Sequence, residues 1–278
     1  MPLKLSCADF SFPLLEHAHA LDLIAMLGIP GVDIGLFSGR SHLRPETELR
    51  QPARRARGLA RKLADRGLQL ADIFLIPGTS FAENAPNHPD PAVRKLAREQ
   101  FRRGIEYTVE AGGRHFTGLP GVFAEGQAGA RALGCCVEEL GWRTEYAAAQ
   151  GVTYSVEPHI GSVIASPSAA LRLLHAIPGL TVTLDYTHFT RVGMPDRRIE
   201  PLVAHASHFH CRGARKGRLQ TSFAENKIDY ARILQVMRDT RYKGYVGLEY
   251  VWQDWEHCNE SDNVSETILF RDFLRRVK

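Results

Sequence analysis

Gly151-Val-Thr-Tyr-Ser-Val-Glu-Pro-His159 and Leu180-Thr-Val-Thr-Leu-Asp-Tyr-Thr-His188 decide how this chain is read. Each holds a short apolar strand that closes on a carboxylate, Glu157 or Asp185. Side chains alternate between the two faces of a strand. Glu157 therefore shares a face with Ser155 and Thr153, while Val156 and Tyr154 take the other. Asp185 shares its face with Thr183 and Thr181, opposite Leu184 and Val182. Both acids fall on the smaller, more polar face at the carboxyl end of their strand. One such acid would be explained as a helix N-cap.

Two further strands repeat the pattern. Ala206-Ser-His-Phe-His210 puts His208 and His210 on one face and Phe209 on the other. Tyr245-Val-Gly-Leu-Glu249 puts Glu249 with Gly247, opposite Val246 and Leu248. Four consecutive strands thus deliver Glu157, Asp185, His210 and Glu249 to one end. Four buried ionisable groups without a partner would be costly, so the pattern reads as a metal site.

Outward from these strands the chain alternates strand and helix throughout. Strands are expected at Lys4–Phe10, Val32–Phe37, Leu68–Ile76 and Arg114–Gly118, ahead of the four just described. Helices are expected at 14–27, 46–66, 92–110, 130–150, 167–176, 196–204, 229–240 and 264–277, from apolar spacings of three and four. Gly67, Gly112-Gly113 and Gly151 stop helices, and Ser166-Pro167 starts one. Residues 79–91 and the basic stretch 212–226 read as loops. Strict alternation with short connections implies a parallel sheet, and eight units imply closure. The fold class is α/β, a (β/α)8 TIM barrel, with residues 1–278 as a single domain. In such a barrel the carboxyl ends of the strands build the active site, where the four candidate ligands lie.

Composition agrees. The 278 residues are 44% hydrophobic with a net charge of +4, ordinary for a globular chain. Arg54, Arg57 and Arg61, and Arg94, Lys95, Arg98 and Arg102, fall opposite apolar stripes and read as solvated helix faces rather than a nucleic-acid surface. No apolar run spans a bilayer, and the amino terminus lacks signal-peptide features. Five cysteines without a Cys-x-x-Cys spacing fit reduced packing thiols. A cytoplasmic protein is expected, with no nucleic-acid or membrane partner and with a homo-oligomer left open.

Three carboxylates and one imidazole suit one divalent metal ion, Mn²⁺ first and Mg²⁺, Co²⁺ or Zn²⁺ as alternatives, with open positions for substrate oxygens. Glu157-Pro-His159, Asp185-x-x-His188, His210 in His-x-His, and Gly-x-x-Glu249 together resemble the xylose-isomerase-like barrel family. That family includes ketose 3-epimerases, hydroxypyruvate isomerase, inosose dehydratase and endonuclease IV. The resemblance implies that Glu157, Asp185, His210 and Glu249 hold one metal, with Glu157 and Glu249 as the acid–base pair. It implies substrate contacts from His188 and from an arginine of the following loop, Arg215 first and Arg212 next. His159 and His115 are weaker pocket candidates, and Phe10, Phe37 and Trp252 follow strand ends where they could wall a sugar. His208, one layer deeper, reads as a core histidine.

The expected function is a divalent-metal-dependent isomerase or epimerase of a small ketose or keto-polyol, acting through an enediolate. The alternative is a lyase or dehydratase of an oxidised sugar, inositol or glycoside. A non-catalytic sugar-binding role is the rival from another class. Gly31-Val-Asp-Ile-Gly-Leu36 departs from the Gly-x-Asp-x-x-Glu pattern of many relatives, with Leu36 in place of the acid. A three-metal phosphodiesterase is disfavoured for want of further His and Asp ligands.

Overall fold

The computed structural model describes residues 3–277; the ends of the 1–278 domain read from the sequence, Met1, Pro2 and Lys278, lie outside the described residues. Eight parallel strands close into a barrel. They are β1 (Lys4–Ala8), β2 (Gly31–Phe37), β3 (Gln69–Ile76), β4 (His115–Gly118), β5 (Thr153–Val156), β6 (Thr181–Asp185), β7 (Ala206–Cys211) and β10 (Tyr245–Leu248). Between β7 and β10 a short antiparallel hairpin intervenes, β8 (Gly213–Arg215) and β9 (Arg218–Thr221). The helices are α1 (His17–Met26), α2 (Pro45–Glu48), α3 (Pro52–Ala64), α4 (Pro91–Glu110), α5 (Gly129–Ala149), α6 (Pro167–Ala176), α7 (Thr187–Thr190), α8 (Tyr230–Asp239) and α9 (Asn263–Arg276). Among the described residues no helix is long and apolar enough to cross a membrane.

Strand alternation works as the sequence dictates. Tyr154, Val156, Val182 and Leu184 join the apolar layer that also holds Leu140 and Ala147 of α5 and Leu173 and Leu174 of α6. Each large side chain buried there contributes roughly 1.5–3 kcal/mol. The opposite faces point into the barrel, where Thr117, Ser155 and Thr183 share hydroxyl hydrogen bonds of 2.6–3.1 Å. Register then sets the site: Asp185 pairs with His210, and His210 with Gly247. The expected Ser166 cap of α6 accepts from the Ala169 amide, and Asp90, Asp229 and Asp262 cap α4, α8 and α9 in the same way.

Several sequence expectations need correction. The helix expected over 46–66 is two, because Pro52 has no N–H to continue the ladder and instead opens α3. Its buried stripe is Ala56, Leu59 and Leu63, while Ala53 and Ala60 sit at the margin. The expected 196–204 helix is a pair of 3₁₀ turns, Asp196–Arg198 and Glu200–His205. The 212–226 loop holds the β8–β9 hairpin, held to the barrel by the Tyr250 hydroxyl, which donates to the Thr221 carbonyl and accepts from the Gly213 amide. The first strand stops at Ala8, where a 3₁₀ turn (Asp9–Ser11) begins.

Candidate metal centre and active site

Glu157 follows β5, Asp185 ends β6, His210 lies near the end of β7 and Glu249 follows β10. All four are buried at the barrel mouth, Asp185 and His210 completely. Two overlapping groups share Glu157: one ligand atom each from Glu157, His210 and Glu249 lie within 4.8 Å of one another, as do those of Glu157, Asp185 and His188. His210 Nδ1 stands 2.8 Å from Glu157 Oε1 and 3.5 Å from Glu249 Oε2. His188 Nε2 stands 3.7 Å from Asp185 Oδ2 and 3.9 Å from Glu157 Oε2. Glu249 Oε2 is buried and receives no hydrogen bond from the described residues. Oxygen donors beside imidazole, one of them left without a donor, fit a divalent cation.

Arg212 is the counter-charge on the protein side. Its Nη2 donates to Asp185 Oδ2 at 2.8 Å and approaches Glu249 Oε2 at 3.4 Å, while Nη1 donates to the Glu249 carbonyl at 3.3 Å. Asp185 Oδ1 accepts from the Thr187 amide, an N-terminal bond of α7 that fixes the carboxylate.

These charges set the protonation states. Burial alone would depress the His210 imidazole, but the Glu249 and Glu157 carboxylates outweigh it and push its pKa up to about 10. Burial resists ionisation of Glu157 too, yet the His210 hydrogen bond and charge hold it below the usual carboxylate range. For Asp185, Arg212 and His188 likewise overcome burial and hold it low. Burial wins at Glu249, with the Glu157 and Asp185 charges adding to it against His210 and Arg212, and its pKa is pushed up to about 7. Burial and the neighbouring His188 pull His159 down to about 4, and burial also lowers His188. Two carboxyl groups thus sit side by side with pKa values driven apart, an arrangement suited to one base and one acid.

The cavity above them holds about 210 Å³, small beside pockets for drug-sized ligands. Most of its polar lining comes from the second half of the barrel, with Glu157, His159, His188, Arg212, Glu249 and Gln253, and Arg40 after β2 adds a cation that the sequence reading did not single out. Phe10, Phe37 and Phe74 form a contiguous aromatic wall, with ring centroids 4.7 and 5.1 Å apart and Phe74 5.8 Å from the His210 ring. Phe81 packs on His159 at 4.4 Å and on Trp255 at 6.0 Å across the mouth.

The sequence-derived candidates divide accordingly. His159, His188, Arg212 and Trp252 line the cavity, with Phe10 and Phe37. His159 donates its Nδ1–H to the Ile160 carbonyl and leaves Nε2 without a partner among the described residues. Arg215 does not line it. The hairpin turns Arg215 outward toward Glu225, and of the two arginines expected to contact substrate only Arg212 faces the cavity. His115 opens β4 rather than ending it, at the far end of the barrel, where it bonds Asp72 and Ser207. Sequence reading passed over Phe74, Phe81 and Trp255. Phe74 was legible, since Asp72, Phe74 and Ile76 share the inward face of β3 by alternation; Phe81 sits on an irregular segment and Trp255 opens a short 3₁₀ stretch (Trp255–Glu260) broken at Glu256 and His257, neither carrying a periodic signal.

With the geometry in hand, likeness to known proteins can be placed. A profile described as the xylose isomerase-like TIM barrel matches residues 21–275. A D-psicose 3-epimerase from Clostridium cellulolyticum H10, solved with D-tagatose, aligns with a TM-score of 0.76 at 16% identity, covering 99% of each chain. A 3-keto-D-glucoside 4-epimerase from E. coli aligns at 0.74 and 14%, over 98% of this chain and 99% of that one. A family 2 AP endonuclease from Brucella melitensis aligns at 0.73 and 19%, again over 98% and 99%. At such identities the likeness shows the fold alone. No curated protein matches the chain.

Proposed function

The chain belongs to the xylose isomerase-like TIM barrel family, and from that premise we propose that it is a divalent-metal-dependent isomerase or epimerase of a small ketose or keto-polyol. The observation that carries the reading is the pair of buried three-residue groups sharing Glu157, over a small cavity at the carboxyl ends of the strands. Glu157, Asp185, His210 and Glu249 would hold the ion, with His188 within reach of Glu157 and Asp185. Bound there, a divalent ion supplies a Lewis acid for adjacent hydroxyl and carbonyl oxygens and offsets the charge of an enediolate.

The protein's own groups divide the proton transfers. Glu157, held ionised, removes the proton alpha to the carbonyl. Glu249, near neutrality, delivers a proton to the substrate carbon. Arg212 holds Asp185 and the Glu249 backbone and lines the cavity with His188 and His159. The aromatic walls keep water from the reacting carbon and pack on the carbon face of the substrate. The structural relatives named for epimerases support a sugar substrate, and the volume supports a small one.

The test is proton exchange. Purified protein loaded with Mn²⁺, Co²⁺ or Zn²⁺ is incubated in D₂O with a panel of ketoses. Deuterium uptake at one carbon without change of mass otherwise supports the reading. A product lighter by one water would make it a lyase instead, and a metal-loaded protein that binds ketoses without exchange would leave a binding role.

A further inference from the structure

The cavity carries a positive charge that the proton transfers do not use. β2 ends at Phe37, and the chain then folds back, the Arg40 amide donating to the Phe37 carbonyl at 3.4 Å with Gly39 at φ 73°. A left-handed residue at that point suits glycine, which has no Cβ to clash. The turn lays the Arg40 guanidinium over the Phe37 ring, 5.5 Å from its centroid, at the edge of the cavity. Among the described residues Arg40 has neither an ion pair nor a side-chain hydrogen bond. Glu46, the acid bonded to this turn, accepts from the Ser38 hydroxyl instead. Arg40 is exposed, yet enough protein surrounds its guanidinium to lower its pKa, and no carboxylate opposes that loss of water. Arg212, the other guanidinium of the lining, is engaged by Asp185 and Glu249.

Position decides what the Arg40 cation can meet. In the closed strand order β2 stands directly across the barrel from β6, which ends in Asp185, and Glu157 and His210 belong to the two neighbours of β6. A ligand whose carbonyl and hydroxyl oxygens lie at the proposed metal ligands therefore presents its other end to Arg40. We infer that the substrate is a ketose acid, with a carboxylate at the end remote from the reacting carbons, and that Arg40 receives this carboxylate. The inference deepens the isomerase reading and rests on it. A guanidinium stacked on an aromatic face keeps its N–H edges free in its own plane, and that fork matches a carboxylate through two parallel hydrogen bonds. The ligand supplies the partner that a partly desolvated cation lacks. One cation also balances one carboxylate. A phosphate dianion would bring a second charge with no further cation to meet it, because burial lowers both His159 and His188 toward the neutral form.

D-fructose, D-fructuronate and D-fructose 6-phosphate differ only at C6 and serve as probes. Their affinities for the Mn²⁺-loaded protein are read by isothermal titration. D-fructuronate should bind the wild type roughly 10–100-fold more tightly than D-fructose. Arg40→Met should bring that ratio to within about twofold of one, and Arg40→Lys, which keeps the charge without the fork, should recover part of it. The wild-type ratio is decisive without any variant, since equal affinities for D-fructuronate and D-fructose would overturn the inference. A preference that survives in Arg40→Met would overturn it too, by placing the carboxylate on the metal or on another group. Tighter binding of D-fructose 6-phosphate than of D-fructuronate would overturn the stated class in favour of a phosphate. If no ketose exchanges its alpha proton while the Arg40-dependent preference holds, the isomerase reading falls and the carboxylate site stands.

Discussion

Replacing Arg212 by Met keeps the length of the side chain and deletes the only guanidinium among the described residues that touches the proposed metal ligands Asp185 and Glu249. In the wild type Nη2 sits 2.8 Å from Asp185 Oδ2 and 3.4 Å from Glu249 Oε2, all buried. At an effective dielectric near 20 each approach is an attraction of roughly 5–6 kcal/mol before desolvation is subtracted. Removing one partner of a buried pair costs about 3–5 kcal/mol net, because the charge left behind is stranded. Glu249 can escape part of this by taking up a proton, since its pKa is already about 7; Asp185 has no such relief near neutral pH. For 278 residues the unfolding entropy is about 0.6 kcal/mol per kelvin, so the metal-free variant should melt about 5–9 °C lower. A divalent cation replaces the lost positive charge, so added Zn²⁺ or Mn²⁺ should raise the melting temperature more in the variant than in the wild type. Circular dichroism melts at pH 7 in EDTA and in excess metal supply both numbers. A metal-free shift below about 2 °C, or a metal response no larger than that of the wild type, would refute the charge accounting.

Other outcomes follow from the same geometry. Glu157→Gln and Glu249→Gln should each lower the rate of alpha-proton exchange about 10²–10⁴-fold, read by deuterium uptake from D₂O; near-normal exchange in either would remove it from the acid–base pair. His159 is neutral in the fold, with a pKa of about 4 against an unfolded value near 6.5. Its contribution is therefore fully present above pH 6.5 and is lost as the pH falls toward 4, up to about 3 kcal/mol; His159→Gln should flatten the acid limb of urea unfolding, and an unchanged limb would contradict the burial argument. Gly247→Ala drives a Cβ into Asp33 and should lower the melting temperature by several degrees, about 1–3 kcal/mol of overpacking, while a silent substitution would show the packing there to be loose. Arg215→Ala, outside the cavity, should leave ketose affinity within about twofold of wild type, whereas Trp255→Ala should weaken it by about 0.5–1.5 kcal/mol; equal losses in isothermal titration would return Arg215 to the site.

The barrel, and the gathering of Glu157, Asp185, His210 and Glu249 at one end of it, were legible because both rest on local periodicity. Alternation along Thr153–Val156 and Thr181–Asp185 sends Ser155 and Thr183 inward whatever surrounds them, and each strand's last acid follows the same face. Chain closure is then a matter of counting eight such units. What periodicity does not carry is distance between segments remote in sequence. That Arg212 rather than Arg215 reaches Asp185 depends on a hairpin whose base is fixed by Tyr250, a residue that follows another strand, β10. That His115 lies at the far end of the barrel follows from where β4 starts in register with β5, His115 against Thr153. The break at Pro52 was local chemistry and could have been read; the aromatic wall of Phe10, Phe37 and Phe74 needed three neighbouring strands to be brought side by side. Asp33 shows the division most plainly. Its place on an inward face is written in Gly-Val-Asp-Ile-Gly, but its nearness to His210 spans 177 residues and exists only because the sheet closes, since side-chain direction is a property of one strand and contact is a property of the register among several.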